Sequence, residues 1–316
     1  MDIRGPIRQI TARCSGSGMN TPQSVRRTVE IEEFTNRYIV HPISGWLVPI
    51  FHRLDIHPNT VSLAGGAAGV LAGLAYYRYD LLPATIAGFL LMVVWHVLDG
   101  ADGQLARLSG KVTASGYVID GICDYVTFIV VYVALALRLS AEQGSAVWIV
   151  VVAAGLSHVI QAAAFELQRA AYGQWAGGKA FASADAMAAQ REARGQASPF
   201  APFRALAALY SAVQEPFQPI EVTLRQRLLN LSHRDADMPA RISETYGEIF
   251  RGAVLRWSWL SANNRTIAIF LACLIGHPML YFLLEMFVFN AALFLLVGMN
   301  RQRALELAAW ISAKGP

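Results

Sequence analysis

Four aspartates within 26 residues carry the densest chemistry in the chain: Asp99, Asp102, Asp120 and Asp124. They sit at the edges of strongly apolar runs. A carboxylate at the centre of a membrane helix costs about 2.5–3.5 kcal/mol, so such a cluster marks a functional site before it marks a structural one. Asp99 and Asp102 are spaced i,i+3, and Asp120 and Asp124 i,i+4, so each pair shares one face of its helix. Gly103 lies one turn beyond Asp99, and Gly116 one turn before Asp120. Glycine there lets a backbone or a ligand come close to the carboxylates. Two helices that each offer two carboxylates form a cage for hard divalent cations. The four negative charges match two Mg²⁺ or Mn²⁺ ions, and without them the cluster repels itself. Oxygen-only ligands select Mg²⁺ or Mn²⁺ over zinc, and neither a Cys pair nor a second His joins the set. The chemistry served by two clamped hard cations is displacement at phosphorus. A carboxylate of the set could also take the proton from an attacking hydroxyl.

These side chains need apolar helices to hold them, and the composition supplies such helices. The 316 residues are 55% hydrophobic and only 15% charged, with a mean hydropathy of +0.39. A soluble domain carries about 25% charged residues, so disorder, a coiled coil and an ordinary soluble enzyme are excluded. The net charge of +4 argues against nucleic acid as a partner. Cys14, Cys123 and Cys273 lack metal-ligand spacing. Residues 1–36 are polar and hold Arg4, Arg8, Arg13, Arg26 and Arg27, which does not fit a secretory leader. Runs of about 20 apolar residues predict spans at Thr60–Tyr79, Leu81–Leu98, Tyr117–Leu139 and Ala146–Phe165. The tract from Thr266 to Met299 is broken at Gly276-His277-Pro278, which predicts two more, at 264–276 and 279–299.

The expected architecture is therefore an all-α integral membrane protein of six transmembrane helices. Tyr38–Leu54, too short and polar to span, reads as an N-terminal interfacial helix. With the N-terminus inside, the outer loops hold only Arg78 and Arg138 of the 26 Lys and Arg, so both termini are expected on the cytosolic side of an inner membrane. The expected divisions are a polar segment 1–36, the interfacial helix and first four spans 37–170, a helical cytosolic insertion 171–263, the last two spans 264–299 and a tail 300–316. The insertion opens loop-like, with Gly173, Gly177, Gly178, Ser183, Gly195, Ser198, Pro199 and Pro202. It then shows amphipathic periodicity at Phe203–Val213, Val222–Leu231 and Ile242–Leu260.

The spacing of the aspartates resembles the signature of the CDP-alcohol phosphotransferase family, Asp-x2-Asp-Gly-x2-Ala-Arg-x8-Gly-x3-Asp-x3-Asp. Asp99, Asp102, Gly103, Ala106, Arg107, Gly116, Asp120 and Asp124 meet every specified position. The resemblance covers roughly 37–170 and 264–299. It implies transfer of a phospho-alcohol group from a CDP-linked donor to a hydroxyl acceptor, with release of CMP. It also implies that Asp99, Asp102, Asp120 and Asp124 are metal ligands, with Asp124 doubling as the general base. Gly103, Ala106, Arg107 and Gly116 would then bind the nucleotide, the small residues making room for cytidine and Arg107 meeting phosphate with its planar fork. His57-Pro58-Asn59-Thr60-Val61-Ser62 resembles the family's Pro-Asn-x-x-Thr/Ser element, adding Asn59, Thr60 and Ser62 to the nucleotide site. The same three residues would equally cap a helix start. The family resemblance also suggests a homodimer.

Outside the motif, His158, Gln161, Glu166, Gln168 and Arg169 place polar groups in or near an apolar helix. Arg169, His158, Arg265 and Lys111 are candidate acceptor-binding residues. The competing reading is an inward-facing hydrogen-bond network with Arg169 at the boundary, and Lys111 lies in a loop where solvation explains it equally. His96, one turn before Asp99, reads as a partner behind the ligands or as a packed side chain. The reading that follows is a membrane enzyme in phospholipid biosynthesis that moves phosphatidyl from CDP-diacylglycerol to an inositol-type or phosphorylated-polyol acceptor. The alternative is a choline/ethanolamine-phosphotransferase-like enzyme with a CDP-head-group donor and a lipid alcohol acceptor. A transporter would place its acids near the midplane, and a scaffold would not need the complete motif.

Overall fold

The computed structural model describes residues 31–181 and 212–314, and within them the secondary structure is helical. A π turn, Asn36–Val40, leads into α1, His41–Arg53. Pro42 opens α1, where its missing N–H costs nothing. Apolar side chains at Phe34, Tyr38, Ile43, Trp46 and Ile50 remain exposed along this stretch. Helix α2, Pro58–Tyr76, starts at an N-cap formed by His57, whose Nδ1 accepts the Asn59 N–H at 3.2 Å. Helix α3, Leu82–Ser109, stops where Gly110 turns left-handed at φ +67°, the usual glycine exit from a helix. Helix α4, Ala114–Gln143, begins at Thr113, whose hydroxyl accepts the Gly116 N–H at 3.0 Å. Helix α5 is Val147–Trp175.

Beyond the undescribed stretch come α6, Val222–Ser232, and α7, Met238–Trp257. Helix α8, Ala262–Leu274, ends in the Gly276 turn (φ +75°) before Pro278. Helix α9 covers Met279–Ala313 and contains a π segment at Leu284–Phe289.

Among the described residues four helices are long and apolar enough to cross a membrane: α3, residues Val118–Gln143 of α4, α5 and α9. The six expected spans are thus found as four. Helix α2 has 19 residues but is rich in Gly and Ala, and α8 has only 13, short of the roughly 20 that a bilayer asks for. Other expected boundaries move for one reason: hydropathy marks where apolar residues stop, and helices continue past that point. Thus α3 runs on through the aspartate motif to Ser109, α5 runs past Phe165 and takes in Gly173, and α9 absorbs most of the expected tail. Gly177 and Gly178 do form the turn after α5. The loop residues Ser183 to Pro202 and nearly all of Phe203–Val213 lie outside the described residues.

Two packing centres organise the helices. In the first, α2 lies between α3 and α4. Gly69 and Gly73 present no side chain to α4: a Cβ on Gly69 would run into Thr127 Oγ1, and one on Gly73 would sit 3.0 Å from the Val130 carbonyl carbon. This close approach is the small-residue packing that membrane helices use where lipid offers no hydrophobic drive. The core here is Ala72, Tyr76, Met92, Trp95, Val131 and Leu135. In the second, α7 packs against the ends of α5 and α9, with Tyr172, Trp175, Tyr246, Phe250, Leu307 and Ile311 buried together. Tyr246 and Phe250 stack at 4.4 Å.

Candidate active site

The α3–α4 hairpin brings the aspartates together. Carboxylate oxygens of Asp99, Asp120 and Asp124 all lie within 4.8 Å of one another, each side chain partly exposed. A cleft between α2, α3 and α4 is lined by Ser62, Gly65, Trp95, Asp99, Asp102, Asp120, Cys123 and Asp124. Asp102 is 6% exposed and accepts a hydrogen bond from the Ser62 hydroxyl. That bond draws the N-terminal turn of α2 against the motif, and Gly65 lets α2 come close to Leu98 and Trp95 of α3 beside it.

Three acidic side chains this close repel by roughly 3–4 kcal/mol per pair at an effective dielectric of about 20. Such repulsion favours a bound cation. Oxygens bound to one Mg²⁺ at about 2.1 Å lie at most about 4.2 Å apart, so the trio needs only a small contraction to hold an ion. The donor set is carboxylate only, which suits Mg²⁺ or Mn²⁺. The residues therefore fit the divalent cations that this chemistry requires.

Around the trio, the Arg107 guanidinium lies over Gly103, where an added Cβ would meet Nη1 at 3.4 Å. Gly116 faces Asn59: a Cβ there would stand 3.3 Å from Asn59 Oδ1. The starts of α2 and α4 thus meet at the mouth of the cleft. Thr60 points to the exposed side of α2, and Ala106 lies one turn beyond Asp102 on α3. Lys111 reaches back from the α3–α4 loop to Asp55 at 3.1 Å. Asp55 has φ +50°, unusual for a non-glycine residue.

The other sequence candidates are not gathered at this cleft. Arg169 pairs with Glu166 at 2.7 Å and lies 5.7 Å from the Phe165 ring. Arg265 is fully buried and pairs with Glu285, itself fully buried, at 3.2 Å. Arg265 also donates to Gln161 Oε1 at 2.6 Å and to the Leu260 carbonyl. Tyr281 donates to Glu285 at 2.9 Å, the Tyr281 and Tyr132 hydroxyls are 2.5 Å apart, and Tyr132 meets His158 Nδ1 at 2.9 Å. His158 and Arg265 therefore belong to one hydrogen-bonded network joining α4, α5, α8 and α9. Sequence reasoning singled out Arg265, His158 and Gln161 but passed over Glu285. The signal was present, since an acid inside the apolar tract Met279–Met299 requires a partner.

A second polar seam ties the N-terminal segment down. Asn263 donates to Glu33 at 3.0 Å and to Asn36 at 2.9 Å. Glu32 pairs with His41 at 3.0 Å, and His41 Nδ1 meets Gln104 Nε2 at 3.3 Å, one residue past Gly103. Burial raises the Glu33 carboxyl above its ordinary range, and the Asn263 hydrogen bond offsets part of that rise.

Residues 55–192 match the family model for CDP-alcohol phosphatidyltransferase. Over that segment, less than half of its length, the chain is similar to that family. The matched segment contains α2 to α5, and so the whole aspartate cleft. No curated protein matches the chain closely enough to add to this. The family transfers phosphatidyl or related phospho-alcohol groups and typically uses divalent metal, which agrees with what the carboxylate trio can hold.

Proposed function

We propose that the protein transfers phosphatidyl from CDP-diacylglycerol to a hydroxyl acceptor and releases CMP. The observation that carries this reading is the convergence of Asp99, Asp120 and Asp124 within 4.8 Å, inside the segment that matches the family. Asp99, Asp102, Asp120 and Asp124 would hold two Mg²⁺ or Mn²⁺ ions. When bound, such ions neutralise charge on the attacked phosphate and on the leaving nucleotide. The remaining work falls to the chain. Asp124 takes the proton from the acceptor hydroxyl as its oxygen attacks phosphorus. Arg107 holds a donor phosphate with its two parallel N–H groups. Gly103, Ala106 and Gly116 leave room for the cytidine, and Asn59 and Thr60 stand at the mouth beside it. Ser62 fixes Asp102 from behind.

Arg265 and His158 act in this reading through the buried network, since Glu285 already neutralises the guanidinium. Lys111 and Arg169 stay partly exposed and can still meet an acceptor. In membrane terms, the aspartate end of the bundle faces the cytosol with both termini, the membrane is the inner one, and α1 lies on its surface. Two copies would pair as a homodimer, and helices α6 and α7 would lie on that cytosolic face.

The test is a donor-by-acceptor panel with purified protein in detergent and Mg²⁺ or Mn²⁺. CDP-diacylglycerol and CDP-choline or CDP-ethanolamine are each offered to polyols, polyol phosphates, amino alcohols and lipid alcohols. Acceptor-dependent CMP from CDP-diacylglycerol supports the proposal. CMP from a CDP-head-group donor and a lipid alcohol would replace it with the reverse polarity.

A further inference from the structure

Helix α8 lies outside the segment that matches the family, yet it touches the motif helix directly behind the cleft. His96 Nε2 and Thr266 Oγ1 are 2.9 Å apart. Both residues are buried, at 9% and 2% exposed. His96 stands one turn before Asp99 on α3, and its ring lies 4.3 Å from that of Trp95, which lines the cleft with Asp99. The far end of this contact is fixed as well. Arg265, next to Thr266, is held by Glu285, Gln161 and the Leu260 carbonyl. Helix α8 is thus anchored to α5 and α9 on one side and offers a single hydroxyl to α3 on the other.

We infer that Thr266, through its hydrogen bond to His96, is a positioning residue for Asp99 and so for metal affinity at the cleft. The inference rests on the proposed metal role of the aspartates. Its physical basis is the stiffness that a ligand site needs. A ligand carboxylate must be held within about 0.5 Å of its working position by side chains that are themselves locked. Without the Thr266 hydroxyl, the His96 ring loses its buried polar partner. It then seeks another by rotating, and Trp95 and the Asp99 turn rotate with it. Partners hydrogen-bonded directly to a metal ligand typically contribute about 10–100-fold to affinity, and His96, one turn from Asp99 without a bond to it, sets a smaller effect.

The experiment measures Mn²⁺ binding by electron paramagnetic resonance on the purified full chain in detergent, with no donor present. Thr266→Val keeps the side-chain shape and deletes the hydroxyl, and His96→Phe keeps the ring and deletes the nitrogen. Each is expected to weaken Mn²⁺ binding by about threefold to tenfold, below the range of a direct ligand partner, and the double variant to lose no more than either single one. Thr266→Ser retains the hydroxyl and should bind near the wild-type value. At saturating Mn²⁺ the Thr266→Val protein should recover most of its CMP release. Loss of thermal stability with unchanged Mn²⁺ affinity in both single variants would overturn the inference and leave Thr266 a packing residue. Asp120→Asn separates the two layers of the argument. If wild-type protein binds Mn²⁺ no better than Asp120→Asn, the metal reading itself falls, and this inference with it.

Discussion

At the scale of single residues, the account depends on carboxylates with different duties. Asp102 is held by Ser62 and buried, whereas Asp124 belongs to the partly exposed trio. Asp124→Asn should therefore leave CDP binding largely intact and shift Mn²⁺ binding to higher metal, while turnover at saturating Mn²⁺ still falls by roughly 10²–10⁴-fold, the usual worth of a general base. Retained turnover would remove Asp124 from that duty. The buried pair gives a second prediction. Glu285→Gln leaves Arg265 charged without its counter-ion, which should cost about 3–5 kcal/mol, read as a lower melting temperature in detergent. Replacing both partners with leucine should cost less than either single change. The aspartate site was legible in the sequence because its chemistry needs fixed residue types at fixed helical spacing. The role of Arg265 was not, because its partner lies on another helix, 20 residues away. Spacing reports a partner on the same helix, and only the fold reports one across a turn.

At the scale of elements, the position of α2 decides whether the cleft exists. Gly65 lets it approach Leu98 and Trp95 of α3, where Ser62 reaches Asp102, and Gly69 is its tightest point against α4. Gly69→Ala drives a methyl into Thr127, so α2 and α4 must part. The expected cost is about 1–3 kcal/mol of stability, together with weaker Mn²⁺ binding. Adding Thr127→Ala should recover part of both, measured by melting in detergent and by Mn²⁺ titration. Unchanged binding in Gly69→Ala would detach the cleft from the helix packing. The helices themselves were readable as apolar runs with Gly and Pro at their ends. Their true lengths were not. Apolar runs record where a membrane or a core stops, and α3, α5 and α9 each continue as helix because α1, α7 or each other still covers one face.

At the scale of the whole molecule, the chain beyond the matched segment is not an appendage. Helices α7 and α9 pack against α5 in the second core, α8 adds Ile269, Ala272 and Cys273 to the first core and contacts α3 behind the cleft, and the N-terminal segment is tied to α8 through Glu33 and Asn263. That tie gives the fold a pH dependence with a definite sign. Burial raises the folded-state pKa of Glu33 above its unfolded value near 4.5. The stability contributed by the neutral carboxyl is thus complete below the unfolded value and is lost as pH rises through the folded one. Glu33→Gln should flatten the melting temperature across that rise and make the protein the more stable of the two at neutral pH. An unchanged slope would place the effect elsewhere.

The central claim is that the aspartate cleft performs a metal-dependent transfer from a CDP-linked donor. The most direct measurement is CMP release from CDP-diacylglycerol, with a responsive acceptor, as Mn²⁺ is titrated back into protein stripped with a chelator. The account predicts no release in the stripped protein, and recovery that rises more steeply than a single ion would allow. It also predicts that Asp99→Asn or Asp120→Asn shifts that curve to higher metal. Full turnover in stripped protein, or a curve that these substitutions leave in place, would contradict it.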